Sequence, residues 1–153
     1  MTTVIYHRAD FDGLFSAAVC KKFLPPDTQF IGWDFGDPLI DFPLGKVYLV
    51  DLPPDCFSGI PIRASADLTW IDHHKSSIQK WSEALGDPFK GYLIDGVAAC
   101  RLCWQWFQKE NRDAEDIMCG NMPVTCLPTF EKFQNRIVEE PLALTLAGEY
   151  DVW

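Results

Sequence analysis

The sequence predicts an α/β fold, a mainly parallel sheet flanked by helices on both faces, in a single domain spanning residues 1–153. Two observations carry this expectation. Short β-branched and aromatic runs alternate with stretches of helical period, and that order implies parallel strands joined by helical crossovers. The length of 153 residues suits one sizeable core and not two. Residues 3–6 form the first strand. Leu14, Phe15, Ala18, Val19 and Phe23 recur at helical spacing ahead of Pro25 and Pro26, giving a helix over 14–24. Residues 29–33 read as a second strand, and the Pro-, Gly- and Asp-rich stretch 34–45 as a loop. A third run, 46–50, ends at Asp51, and a fourth, 68–71, ends at Asp72. Helical patterns over 77–85 and 97–107 flank a fifth strand at 92–94. Residues 108–128 read as polar and irregular, and 130–147 as a last helical stretch interrupted at Pro141.

Hydrophobic residues make up 48% of the chain and charged residues only 23%, the balance of a packed globular protein. No apolar stretch is long enough for a membrane span and no secretory signal is encoded, so the expected location is the cytoplasm. The net charge of −9 argues against binding long duplex nucleic acid, which relies on many Lys and Arg. It leaves phosphate substrates open, because bound cations reverse the sign of an acidic site. The six cysteines read as reduced thiols. Cys100 and Cys103 form a CxxC with Cys119 and Cys126 downstream, but the first pair falls inside a helical apolar pattern, which favours burial over zinc.

Three apolar runs end in a metal-competent side chain: VIYH at His7, VYLVD at Asp51 and LTWID at Asp72. In an open parallel sheet these ends share one edge, where ligands bind. The first run continues as HRADFDG. Asp10 and Asp12 flank Phe11, so an extended turn presents both carboxylates to one side, and Gly13 permits a tight entry to the helix. A mixed histidine and carboxylate set suits manganese, with magnesium, iron or cobalt as alternatives. A single Asp or His at a strand end is ordinarily a turn residue or cap; the ordered set is what points to a site.

Asp72, His73 and His74 spell the DHH signature, and around it stand HRADFDG, VDLP with Asp51, and GEYDVW with Asp151. In this ordered set the chain resembles the DHH family of phosphoesterases from about His7 to Trp153. GVAACRLCW is similar to the helix that separates the family's later motifs. The resemblance implies two Mn2+ ions, His7 and Asp10 holding one, Asp12, His73 and Asp151 the other, with Asp51 bridging. It implies that Asp72 orients a histidine and that His74 contacts phosphate or protonates the leaving oxygen. Hydrolysis of phosphodiesters in short oligonucleotides or in linear or cyclic dinucleotides, by a two-metal mechanism, is the implied reaction. Phosphoanhydride hydrolysis of the pyrophosphatase kind, and a non-catalytic nucleotide- or partner-binding role, are the alternatives.

Lys75, beside His74, and Arg8 are candidate phosphate contacts, although lone basic residues are usually solvated. Trp104, Trp106 and Phe107 read as core, and Trp33 and Phe35 as the better placed rings for base stacking. Most family members carry a second, C-terminal substrate-binding domain, and the sequence reaches Trp153 without one. The alternatives are a minimal chain with an open site, closure by a homo-oligomer or partner chain, or a piece of a longer protein.

Overall fold

The computed structural model describes residues 1–60, 68–85, 90–116 and 139–152. Five strands, β1 (Thr2–His7), β2 (Gln29–Trp33), β3 (Lys46–Val50), β4 (Leu68–Asp72) and β5 (Lys90–Leu93), form one sheet in the order β2-β1-β3-β4-β5. Every pairing is parallel. The described helices are α1 (Phe11–Phe23), α2 (Lys75–Leu85), α3 (Ala99–Asp116) and α4 (Leu142–Asp151), with a short 3-10 turn at Pro54–Cys56. None is long and apolar enough to cross a membrane.

The strand order reverses direction at β1. The chain steps outward from β1 to β2, then returns to the other side of β1 for β3 and continues to β4 and β5. Right-handed crossovers in opposite directions put α1 and α2 on opposite faces. Period-two alternation in the strands supplies a core to each. Val4, Tyr48, Val50, Ile71 and Tyr92 face α1, α3 and α4. Ile5, Val47, Leu49, Leu68 and Trp70 face the other way, against Leu52, Phe57 and the Ile78 and Trp81 side chains of α2. Trp104, Trp106 and Phe107 lie in the first core, as their helical spacing predicts.

Several boundaries differ from the sequence expectation for physical reasons. Helix α1 begins at Phe11 rather than at residue 14, because Asp10 is its N-cap and accepts a 2.9 Å hydrogen bond from the Gly13 N–H. Phe11-Asp12-Gly13 is therefore a first helical turn, not an extended one. Helix α3 runs to Asp116, so the stretch from 108 to 116 is helical, not irregular. Its polar residues lack an apolar period, but Lys, Glu, Arg and Ala propagate a helix already nucleated by the buried turns before them. Pro141 is the N-cap of α4, a helix that ends at Asp151 rather than at 147. The remainder of the irregular reading, 117–128, and the first part of the last helical reading, 130–138, lie outside the described residues.

Gly13 is the closest contact between α1 and the end of β1. A Cβ there would stand 1.9 Å from the His7 carbonyl oxygen, whereas one at Gly59 meets nothing within 4 Å. Gly13→Ala is expected to destabilise the fold by about 1–3 kcal/mol or more, and Gly59→Ala by much less. Chemical denaturation of both variants checks this, and equal stability would contradict the packing assigned to this turn.

Candidate metal centre

The carboxyl edge of the sheet collects the ends of four adjacent strands. His7 is the last residue of β1, Asp51 follows β3, Asp72 ends β4 with His73 next, and Asp34 follows β2. His7 and Asp51 straddle the β1/β3 boundary, where the strand order reverses and diverging connections leave a crevice. Asp51 turns out of its strand with φ 56°, a left-handed conformation that aspartate tolerates and that aims its carboxylate back over the edge.

Three groups of potential ligands meet at this edge, one of them Asp51, Asp72, His73 and His74. His7, Asp10 and Asp51 offer donor atoms within 4.8 Å of one another, and so do Asp12, His73 and Asp151. His7 Nδ1 lies 2.7 Å from Asp10 Oδ2 and 3.6 Å from Asp51 Oδ2. His73 Nε2 lies 3.4 Å from Asp51 Oδ1, 3.5 Å from Asp12 Oδ2 and 3.3 Å from Asp151 Oδ2. Asp51 thus presents one oxygen to each imidazole. Its side chain is only 2% exposed, yet neither oxygen makes a hydrogen bond, nor does His7 Nδ1. A buried carboxylate held by imidazole ion pairs alone keeps lone pairs free to bind a cation. Lone pairs converging on a shared space from carboxylates and imidazoles are what divalent cations require, so these residues fit a pair of such ions.

Other contacts hold the ligands in place. Asp12 accepts 2.7 Å hydrogen bonds from the backbone N–H groups of Ala99 and Cys100, which aims the N-terminus of α3 at its carboxylate. Asp72 is fully buried. Its Oδ1 accepts from the His73 and His74 backbone N–H groups at 2.8 and 3.3 Å and lies 2.7 Å from His74 Nδ1. Asp72 therefore orients His74, not the metal-facing His73. Asp151 depends on α4, which packs on α1 and α3. Arg101 on α3 reaches Glu140 at 2.8 Å and Glu149 at 3.3 Å. Gly148 admits the Arg101 stem, since a Cβ there would stand 2.5 Å from Arg101 Cδ.

Asp34 belongs to this site, although its Pro- and Gly-rich surroundings carry the pattern of a loop. Its Oδ1 is 3.3 Å from His7 Nε2. The signal was present, since Asp34 follows the 29–33 run as Asp51 follows 46–50. Arg8 is committed to this loop: its Nη2 donates to both oxygens of Asp37, at 2.8 and 2.9 Å, and Asp37 accepts from the Asp34 N–H. Lys75 is 79% exposed at the start of α2, 3.7 Å from Asp95. Of the two rings singled out for stacking, Trp33 is buried with its indole donating to the Pro38 carbonyl, whereas Phe35 is exposed and stands edge-on to His7. Cys20, Cys56, Cys100 and Cys103 are free and buried, and burial pushes the Cys100 and Cys103 thiols up, away from the thiolate form zinc takes. Cys119 and Cys126 lie outside the described residues. Family models, curated proteins and solved structures return no match to this chain.

The site's charges are strongly coupled. The Asp51 carboxylate, joined by Asp10 and Asp34 and opposed by burial, raises His7 to about 9. Burial works against protonated His73, but Asp51, Asp12 and Asp72 outweigh it and raise it to about 9. Burial, and then the Asp51 charge, push Asp12 up to about 7. Burial would also raise Asp51, but the His7 and His73 imidazoles overcome it and hold the carboxyl below its ordinary value. Asp72 raises His74, and burial raises Asp151.

For metal-free protein the sign follows. His7 and His73 bind protons more tightly folded than unfolded, so their stabilisation is complete below the unfolded value of 6.5 and is lost as pH rises through about 9. Denaturation in chelator is expected to show at least about 1.4 kcal/mol lost over that window, the equivalent of one pKa unit. Added Mn2+ is expected to reverse the trend, since it takes neutral imidazole and ionised carboxylate. Stability independent of pH between 6.5 and 9 in chelator would contradict these couplings.

Proposed function

We propose that this chain is a metal-dependent phosphodiesterase of the DHH kind, hydrolysing short oligonucleotides or linear or cyclic dinucleotides with two Mn2+ ions. One observation carries the reading: the buried Asp51 carboxylate turns one oxygen toward His7, beside Asp10, and the other toward His73, beside Asp12 and Asp151. When bound, two divalent cations supply Lewis acidity that activates water and offsets charge on the attacking and leaving oxygens. His7, Asp10 and Asp51 would hold one ion, with Asp34 beside His7, and Asp12, His73, Asp151 and Asp51 the other.

The protein's own groups do the rest. Asp72 fixes the His74 ring through Nδ1 at 2.7 Å, which leaves Nε2 to carry a proton. In the proposed reaction a water oxygen bonds to phosphorus, the bond to the leaving oxygen breaks, and His74 Nε2 delivers the proton that makes the leaving group an alcohol. One water proton replaces the proton that His74 gave up, the other passes to solvent, and the products are a phosphomonoester and an alcohol. The four described cysteines, all free thiols, support a reducing cytoplasmic setting.

Metal-loaded chain is expected to release nucleotide from dinucleotide substrates in Mn2+, with little inorganic phosphate from pyrophosphate. Asp51→Asn is expected to abolish turnover and reduce bound metal. His74→Asn, which keeps a donor toward Asp72, is expected to retain metal while kcat falls about 10²–10⁴-fold. Preferential release of inorganic phosphate would instead assign an anhydride hydrolase. Tight nucleotide binding without any turnover would assign a binding module, and loss of metal in His74→Asn would contradict the role given to His74.

A further inference from the structure

Beside the metal-competent edge lies a cavity of about 300 Å³ between the start of α1 and the end of α4. Its lining combines two chemistries. Asp10 and Asp151 contribute partly exposed carboxylates, one from each ligand set, and Phe11, Leu14 and Tyr150 contribute apolar surface. These apolar side chains are unusually bare for their size: Phe11 is 64% exposed and Tyr150 78%. Phe11 stands between the two aspartates of the first motif, and Tyr150 directly precedes Asp151. Single exposed apolar residues need no explanation, but a cluster lining a cavity beside a polar centre marks a binding surface.

The occupant is constrained from several sides. A carboxylate floor repels a free anion unless cations intervene, so a phosphate belongs over the ligand sets rather than in the cavity. The group attached to that phosphate then extends between Phe11 and Tyr150. The volume falls at the lower end of the roughly 300–1,000 Å³ of small-molecule sites, enough for one flat ring system with part of its sugar and too small for a polymer. Aromatic walls favour a π-face, and stacking on them tolerates any base.

We infer that the cavity lined by Phe11, Leu14 and Tyr150 is a nucleobase subsite, which takes the base of the nucleotide whose phosphate sits over the adjoining ligand sets. This rests on the phosphodiesterase reading for its location and adds the class of group recognised. Phe11 and Tyr150 bind the base without taking part in the chemistry, and their contribution is to affinity.

The test is equilibrium binding to the Mn2+-loaded chain by calorimetry, with adenosine 5′-monophosphate compared with ribose 5-phosphate. The nucleotide is expected to bind at least about tenfold more tightly, consistent with the range for one stacked base. Phe11→Leu and Tyr150→Leu should each reduce that ratio and together bring it close to one, with ribose 5-phosphate affinity and bound metal unchanged. Both side chains are largely exposed, so leucine leaves the core untouched. Equal affinities in the native chain, including no binding of either ligand, would overturn the subsite. So would a double variant that changes oligomeric state with nucleotide affinity intact, which would assign the rings to a contact between copies. Binding through the two rings with no cleavage of dinucleotides would overturn the hydrolase reading and leave the subsite standing. Cleavage of dinucleotides with adenosine 5′-monophosphate and ribose 5-phosphate bound equally would do the reverse.

Discussion

A carboxylate set between two imidazoles at the reversal of strand order governs the arrangement. Asp51 is buried, adopts a left-handed backbone and hydrogen-bonds through neither oxygen. Each feature is unfavourable alone: a left-handed non-glycine residue costs about 1–3 kcal/mol, and burying a carboxylate costs more unless positive charge beside it, here the His7 and His73 imidazoles, offsets the lost hydration. Together they aim two lone-pair sets at the spaces beside His7 and His73. The excess of carboxylates over histidines at this edge has the same origin. It raises the affinity of the metal-free site for protons on imidazole and on Asp12, a demand for positive charge that the two proposed divalent ions would meet.

The surrounding structure keeps those ligands in register. Asp12 reaches across the core to the N-terminus of α3, so one side chain closes a helix end and faces the site. Asp72 holds the His74 ring, and Arg8 holds Asp37, which in turn accepts the Asp34 N–H. Arg101 clamps both ends of α4 through Glu140 and Glu149, and this fixes Asp151 near the last described residue of the chain. The ligands are thus carried on strand ends and helix termini rather than on free loops, the condition under which metal geometry is reproducible.

Much of this was legible in the amino-acid sequence because it depends on period and punctuation. The 29–33 and 46–50 runs coincide with β2 and β3, since their β-branched and aromatic content and their flanking loops mark both ends. His7, Asp51 and Asp72 stood out because each closes an apolar run at the sheet edge. Asp34 closes the 29–33 run equally, but its Gly- and Pro-rich surroundings read as loop, and only the sheet order brings it to His7. The helical start of Asp12 was obscured because DFDG fits a tight turn and a capped helix alike; the Asp10 cap decides it. The polar end of α3 carried no period at all. The pairing of Phe11 with Tyr150 around one cavity joins residues near opposite ends of the chain, and no local pattern encodes it.

In the proposed centre Asp51 joins two cations. Titration of metal-free chain with Mn2+, followed by electron paramagnetic resonance, tests it directly. Two ions bound per chain with an exchange-coupled signal, replaced by an uncoupled one in Asp51→Asn, is the predicted result. A single ion per chain, or two ions with the six-line signal of isolated Mn2+, would contradict the account.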